Sequence, residues 1–207
     1  MNRRGHIHKS MAKETAVADG AARTRSAMLG LTAGLGFALA TMAAAHMKLW
    51  LPFTPVPVTM QTLVVLLAGL CLGKSWGGLS QAKYLTLGFL GLPAFAGGLA
   101  ALAAPSGGYL VGFVAAAVIA GGIYSALRST LGAILACLAG TAVIYLCGCL
   151  WLVVLTGGSM PEVLALGVAP FLPGDVLKIA AAVLLVRGPY TGPRLARAFE
   201  GLTDNQR

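Results

Sequence analysis

Two ionisable residues, Asp175 and Lys178, stand three apart in an otherwise apolar stretch, directly after Pro170-Phe-Leu-Pro-Gly174. At that spacing they share one turn and one face of a helix, so a carboxylate acceptor and an ammonium donor are presented side by side. Ionisable groups inside a span are costly and mark functional sites by default, and Asp175 in a first turn is also favoured by the helix dipole. The alternative is a pair that only neutralises itself. Lys83 lies near the middle of another apolar segment, where a lone lysine either snorkels or faces the bundle interior. Its neighbours Gln81 and Tyr84 are three apart and share a face that a pocket could use.

Other chemistries find little support. Gly73-Lys-Ser75 is like the end of a nucleotide-binding loop, but Ala68 replaces the required leading glycine and no strand precedes it. Cys71, Cys137, Cys147 and Cys149 fall in apolar segments as small apolar residues, and Cys147-x-Cys149 lacks a second ligand pair, so no metal or other cofactor is expected. The apolar segments hold no nucleophile with its base, and their one histidine, His46, ends the first of them, so no enzyme is expected.

Of 207 residues, 57% are apolar and only 10% are charged, more apolar than a soluble core requires. Between Met28 and Val186 the charges are confined to Lys48, Lys74, Lys83, Arg128, Glu162, Asp175 and Lys178. A spanning helix takes about 20 apolar residues. The punctuation therefore predicts about six transmembrane helices in one all-α bundle: 28–46, 58–72, 76–92, 109–127, 131–156 and 171–186. Domain limits follow: a basic tail over 1–27, a membrane domain over 28–187 and a second tail over 188–207.

The net charge of +9 gathers at Arg3, Arg4, Lys9, Lys13, Arg23 and Arg25 before the first span and at Arg187, Arg194 and Arg197 after the last. Basic flanks stay in the cytoplasm, which puts both termini inside the cytoplasmic membrane. These basic residues are not interleaved with aromatics on a polar surface, so they meet anionic lipid and not nucleic acid. No short apolar core with a cleavage site precedes Arg25, and His6 and His8 are expected in solvent.

With that orientation the inner turns, Gly73 to Gly78 and Arg128 to Thr130, are short, and the outer connections are long and rich in Pro and Gly. Non-helical backbone at membrane depth must be covered by protein or line a cavity. The loops 51–59, 91–108 and 156–174 therefore predict a capped outward pocket, against the plainer reading of tight packing loops. In the first span, small residues repeat every four positions, Gly36, Ala40 and Ala44 on one stripe and Gly30, Gly34 and Ala38 on another. Such stripes serve close helix approach, within the chain or with a partner.

Four ordered motifs add a resemblance: Pro55-Val-Pro-Val-Thr-Met-Gln-Thr62, Tyr84-Leu-x-x-Gly88-x-x-Gly91-Leu-Pro93-x-Phe95-Ala-Gly-Gly98, Pro105-x-Gly107-Gly108-Tyr109-Leu-x-Gly112-Phe113 and Phe171-Leu-Pro-Gly-Asp-x-Leu-Lys178. From about Met28 to Val186 the chain resembles the BioY family, the biotin-specific substrate-binding (S) components of energy-coupling factor (ECF) transporters. The resemblance implies a six-helix S component that captures biotin near the outer face and docks on a transmembrane T component driven by paired ATPases. An S component for another vitamin, or a biotin transporter working without those partners, is the alternative. It implies that Asp175 accepts the ureido N–H groups of biotin and Lys178 donates to the ureido oxygen. Tyr84, Phe95 and Tyr109 would form apolar wall. Gly97, Gly98, Gly107 and Gly108 would let the lid approach the ligand, and Thr59 and Gln61 would add hydrogen bonds. An Ala-x-x-x-Ala element for the T component corresponds best to Ala40 and Ala44. The sequence departs from the pattern at Ala94, where a valine is usual, and at Lys83, a charge that could bind the biotin carboxylate or face a partner.

Overall fold

The computed structural model describes the backbone of residues 3–95 and 97–203, with side chains for residues 20–95, 97–199 and Leu202. The side chains of Arg3, Arg4, Lys9 and Lys13, and the expected solvent positions of His6 and His8, lie outside the described residues. Helix α1 runs Arg3–His46 without a break at Met28, and its Gly20–His46 part is long and apolar enough to cross a membrane. A two-residue ribbon follows, β1 (Lys48–Leu49) antiparallel to β2 (Val58–Thr59). Then come α2 (Gln61–Phe89), the short α3 (Ala100–Ala103), α4 (Gly107–Leu127), α5 (Thr130–Thr156), α6 (Met160–Gly167), α7 (Leu172–Arg187) and α8 (Gly192–Thr203).

Although α2 is continuous in hydrogen bonding, it reverses direction. Gly73 sits at φ 76°, ψ −176°, a region essentially closed to residues with a Cβ. Two observations establish the reversal. A Cβ on Gly77 would lie 3.0 Å from the Ala68 carbonyl oxygen, and Gln61 Nε2 donates to the Tyr84 hydroxyl at 2.8 Å. In a straight helix residues 61 and 84 would stand about 34 Å apart. The two legs, 61–72 and 74–89, are about 18 and 24 Å long, short of the roughly 30 Å hydrocarbon core. Their turn is covered by α4: a Cβ on Gly121 would come within 2.5 Å of the Gly73 carbonyl carbon. Irregular backbone is sheltered there from lipid.

Helix length alone gives four spans, or five when α6 and α7, bent by 55°, act as one. Counted as two legs, the α2 hairpin makes six helical segments, close to the about six that the hydropathy blocks predict. Each end has a local cause. Arg128 stops α4 in a left-handed conformation (φ 41°), and the Ser129 hydroxyl accepts from the Gly132 amide at 2.9 Å to start α5. Ser159 and Glu162 form a reciprocal capping box at the start of α6, and Pro173 occupies the first turn of α7.

The bundle closes through small residues. A Cβ on Gly69 would meet the Ala117 carbonyl oxygen at 2.7 Å, and one on Gly140 would meet the Ala116 carbonyl oxygen at 3.3 Å, so α2 and α5 each approach the backbone of α4 closely. Large apolar side chains such as Leu35, Leu138, Val154 and Leu184 point outward, an arrangement suited to lipid and costly in water. The residues after Gly188, expected as a tail, include α8, which returns to the bundle: Leu202 is fully buried and the Phe199 ring lies 6.3 Å from that of Phe37 on α1.

Candidate binding site

At the end of the bundle away from Gly73, a cavity of about 260 Å³ opens between α2, α4, α5 and α7 under the loops around Pro55 and Gly97. Its polar corner is the start of α7. Asp175 and Lys178 are buried, 4% and 7% exposed, and Lys178 Nζ donates to Asp175 Oδ1 at 2.7 Å. The same oxygen accepts from Thr62 Oγ1 at 3.3 Å, and the other carboxylate oxygen accepts from the Tyr145 hydroxyl. The carboxylate offers about four lone-pair directions and the ammonium three N–H donors, so both keep capacity for a ligand. Because the pair is electrically neutral and desolvated, a polar but uncharged group is a better fit than an ion.

The walls are aromatic. Tyr84 meets Phe95 edge-on at 5.4 Å between ring centres, and Tyr109 meets Phe171 at 6.4 Å. Phe113 and Ile144 complete the apolar lining. Phe95 reaches this position because Gly88 has no side chain: its ring occupies the space of the missing Cβ. Gln61 holds the Tyr84 hydroxyl from one side while its own carbonyl oxygen accepts from Thr59 Oγ1 at 3.1 Å. Tyr109 donates to the Gly167 carbonyl at 2.8 Å and so ties α4 to the end of α6.

Two loops make the roof, one contributing Trp50, Pro55, Val56 and Pro57, the other Gly97, Ala100, Ala104 and Pro105. Three hydrogen bonds tie them down. Thr54 Oγ1 donates to the Leu166 carbonyl at 2.6 Å, His46 Nε2 pairs with the Pro93 carbonyl at 2.9 Å, and Trp151 Nε1 donates to the Ala104 carbonyl at 3.0 Å.

Of the expected residues, Asp175, Lys178, Tyr84, Phe95, Gly97, Tyr109, Thr59 and Gln61 line this cavity. Lys83 does not. Its ammonium donates to the Leu31 carbonyl at 2.9 Å, with Gly34 leaving the room, so it clamps α1 to the second leg of α2. Gln81 likewise turns to α1, where its side-chain oxygen accepts from Thr41 Oγ1 at 3.3 Å. Gly98 makes a left-handed turn (φ 64°) outside the lining. Gly107 and Gly108 also serve packing: they let α4 begin against the Leu102 carbonyl and pass against Trp151 of α5.

The two small-residue stripes of α1 face different ways. Gly30, Gly34 and Ala38 face this chain's own α2, with the Trp76 ring in the space beside Gly30. Gly36 and Ala40 face outward, but Ala44 is only 4% exposed. Four residues advance about 400° around a helix, so the stripe drifts out of line towards the end that His46 ties to the loop. Residues not anticipated are Tyr145 and Thr62, both on the Asp175 carboxylate, and Trp50, Phe113 and Phe171 in the lining. Thr62 ends the first quoted motif, whereas Tyr145 lies inside an apolar run with no polar neighbour to single it out.

The BioY family model matches residues 13–194. The chain belongs to the BioY family. Among its relatives, the probable biotin transporter BioY of Pyrococcus horikoshii is 42% identical over 134 residues, covering 63% of this chain and 78% of the relative. The biotin transporter BioY of Rhodobacter capsulatus is 34% identical over 176 residues, covering 77% and 90%, and that of Thermotoga maritima is 34% identical over 138 residues, covering 65% and 81%. In three dimensions this BioY chain matches the crystal structure of the S-component for biotin from an ECF-type ABC transporter, with a TM-score of 0.69 and 26% identity, over 76% of this chain and 88% of that one. The fold is that of an S component, a multi-pass membrane protein of a transport family.

Proposed function

We propose that this chain captures biotin in the cavity beneath the two loops and serves as the S component of an ECF-type importer, with ATP hydrolysis supplied by partner subunits. It is a transport protein and not an enzyme. The observation that carries the reading is the neutral, buried Asp175–Lys178 pair at the polar corner of an otherwise aromatic cavity, in a chain whose family relatives are biotin transporters.

A ureido group carries N–H donors beside a carbonyl acceptor, the complement of a carboxylate beside an ammonium. In this pose Asp175 accepts a ureido N–H in the one acceptor direction that Lys178, Thr62 and Tyr145 leave open, and Lys178 donates to the ureido oxygen with an N–H that its bond to Asp175 leaves free. Tyr84, Phe95, Tyr109 and Phe171 cover the apolar ring atoms and chain. Thr59 and Gln61 fix the roof above them.

The membrane domain of this reading is 28–187, in the cytoplasmic membrane, with both termini in the cytoplasm. Arg23 and Arg25 before the first span and Arg187, Arg194 and Arg197 after the last support that orientation. The outward small surface of α1 at Gly36 and Ala40 supports docking of a T component.

The test is equilibrium binding of labelled biotin to the purified chain in detergent, with thiamine and riboflavin as competitors. Saturable binding that the competitors do not displace is expected. Folded protein that binds thiamine or riboflavin in place of biotin would move the substrate to another vitamin.

A further inference from the structure

Tyr145 stands inside α5, half-buried, with its ring in the lining of the first cavity and its hydroxyl donating to Asp175 Oδ2. A phenol in an apolar helix needs an acceptor for its O–H, and a carboxylate within reach would meet that need without any part in recognition. The way the donors divide over the two carboxylate oxygens points further. Oδ1 accepts from Lys178 Nζ at 2.7 Å and from Thr62 Oγ1 at 3.3 Å. Each oxygen has about two lone-pair directions, so Oδ1 is filled. Oδ2 accepts from Tyr145 and keeps about one direction.

The three donors come from three helices, Thr62 from α2, Tyr145 from α5 and Lys178 from α7. Bonded on both oxygens from three sides, the carboxylate cannot turn to exchange one oxygen for the other without breaking these bonds. Its open direction therefore lies on the oxygen that Tyr145 holds, and a ligand N–H that reaches it becomes a direct neighbour of the Tyr145 hydroxyl. The other hydroxyls that donate along the lining are spent away from this corner: Thr59 on Gln61, Ser106 on the Ala101 carbonyl and Tyr109 on the Gly167 carbonyl.

We propose that Tyr145 is a specificity-determining residue: its hydroxyl and one ligand N–H share Asp175 Oδ2, so the polar corner admits a single N–H donor there beside the acceptor that Lys178 requires. The inference rests on the biotin reading of the cavity and deepens it. A ureido group satisfies both demands, with one N–H for Oδ2 and its oxygen for Lys178. A cyclic guanidinium of the same shape fails both, because it turns donors and positive charge towards the Lys178 ammonium and brings a second N–H for which the carboxylate has no acceptor left. Removing the Tyr145 hydroxyl opens a second direction on Oδ2 and relaxes this count.

The experiment titrates the full chain in detergent by calorimetry with biotin and with 2-iminobiotin, in which a C=NH₂⁺ group replaces the ureido carbonyl and makes a guanidinium at neutral pH. The reading is the ratio of the two affinities, with thermal unfolding of each variant as the check on folding. Wild type should prefer biotin, and Tyr145→Phe should lower the ratio roughly tenfold, the worth of one added hydrogen bond to a charged group. A purely structural tyrosine would weaken both ligands alike, so a ratio within about threefold of wild type in folded Tyr145→Phe overturns the inference. Thr62→Val opens a direction on Oδ1, beside the ammonium that repels a guanidinium, and should lower the ratio less; an equal fall in the two variants would place the open direction elsewhere and also overturns it. Should Tyr145→Phe not fold, Tyr145→Leu opens the same direction and decides by the same ratio. Wild type that binds biotin while the variants leave the ratio unchanged refutes this inference alone, whereas folded wild type that binds neither ligand refutes the proposed function and this inference with it.

Discussion

Replacing Asp175 by Asn keeps the heavy-atom count at the polar corner of the cavity but removes the charge on which three donors converge, Lys178, Thr62 and Tyr145. A hydrogen bond to a charged group contributes about 1.5–3 kcal/mol net, so losing one ureido N–H contact to the carboxylate weakens biotin binding by about 10- to 150-fold. The substitution also leaves the Lys178 ammonium, 7% exposed, without a charged partner. Breaking a buried pair on one side costs about 3–5 kcal/mol, which for a chain of this size lowers Tm by about 6–20 °C. Adding Lys178→Met removes the orphaned charge at similar volume, and replacing both members of a buried pair by apolar or neutral groups is often neutral or stabilising by about 1–4 kcal/mol.

The three proteins therefore separate binding from structure. Measured by calorimetry with biotin and by thermal unfolding in detergent, Asp175→Asn should be the least stable. The double variant should return towards wild-type stability while binding biotin no better than Asp175→Asn. If the pair is only structural, affinity and stability recover together in the double variant. Affinity of Asp175→Asn within about threefold of wild type, in protein that is folded, would refute the assignment of the carboxylate to the ligand.

Further outcomes follow from single contacts. Gly73→Ala places a Cβ in a backbone region essentially reserved for glycine (φ 76°, ψ −176°), so stability should fall by at least about 1–3 kcal/mol; an unchanged unfolding temperature would mean the turn is not built this way. Gly88→Ala puts a methyl where the Phe95 ring lies, and stopped-flow release should show biotin leaving faster from an otherwise folded protein, whereas an unchanged release rate would remove Phe95 from the wall. Lys83→Met loses the bond to the Leu31 carbonyl and should leave biotin affinity within about threefold of wild type, with a loss of stability of about 1 kcal/mol; a large drop in affinity would return Lys83 to the site.

The residues that announce themselves in the sequence are those whose chemistry is out of place there. Asp175 and Lys178 are conspicuous because ionisable groups are rare in apolar runs, and Gly73 because it divides a segment too long for one span and too short for two full ones. Lys83 is equally conspicuous and goes elsewhere. Hydropathy fixes its depth but not the direction it faces, and its leg of α2 turns that side to α1. Tyr145 is the converse case: an aromatic inside a span reads as filler until the fold brings its hydroxyl to a carboxylate 30 positions away. The α8 segment is short and charged, so nothing in its composition distinguishes a docked helix from a polar tail, and the spacing of Gly36, Ala40 and Ala44 does not tell that the last of them is buried.

The position of Gly73 relative to the cavity explains why so short a pair of legs is tolerated. Longer legs would carry the ends of α2 beyond the loops, where Gln61 and Tyr84 would leave the cavity wall that they now form. Legs of about 18 and 24 Å, turned against Gly121, let both residues stay below the roof made by the two loops. Their mutual hydrogen bond then belongs to the cavity wall. Thr62, one residue into the same leg, is carried to the Asp175 carboxylate for the same reason. A conformation available essentially to glycine, at the far end of the hairpin, thus sets the depth at which the polar corner and the aromatic wall meet, and the apolar loops above can close over them because the irregular backbone they contribute is covered from below.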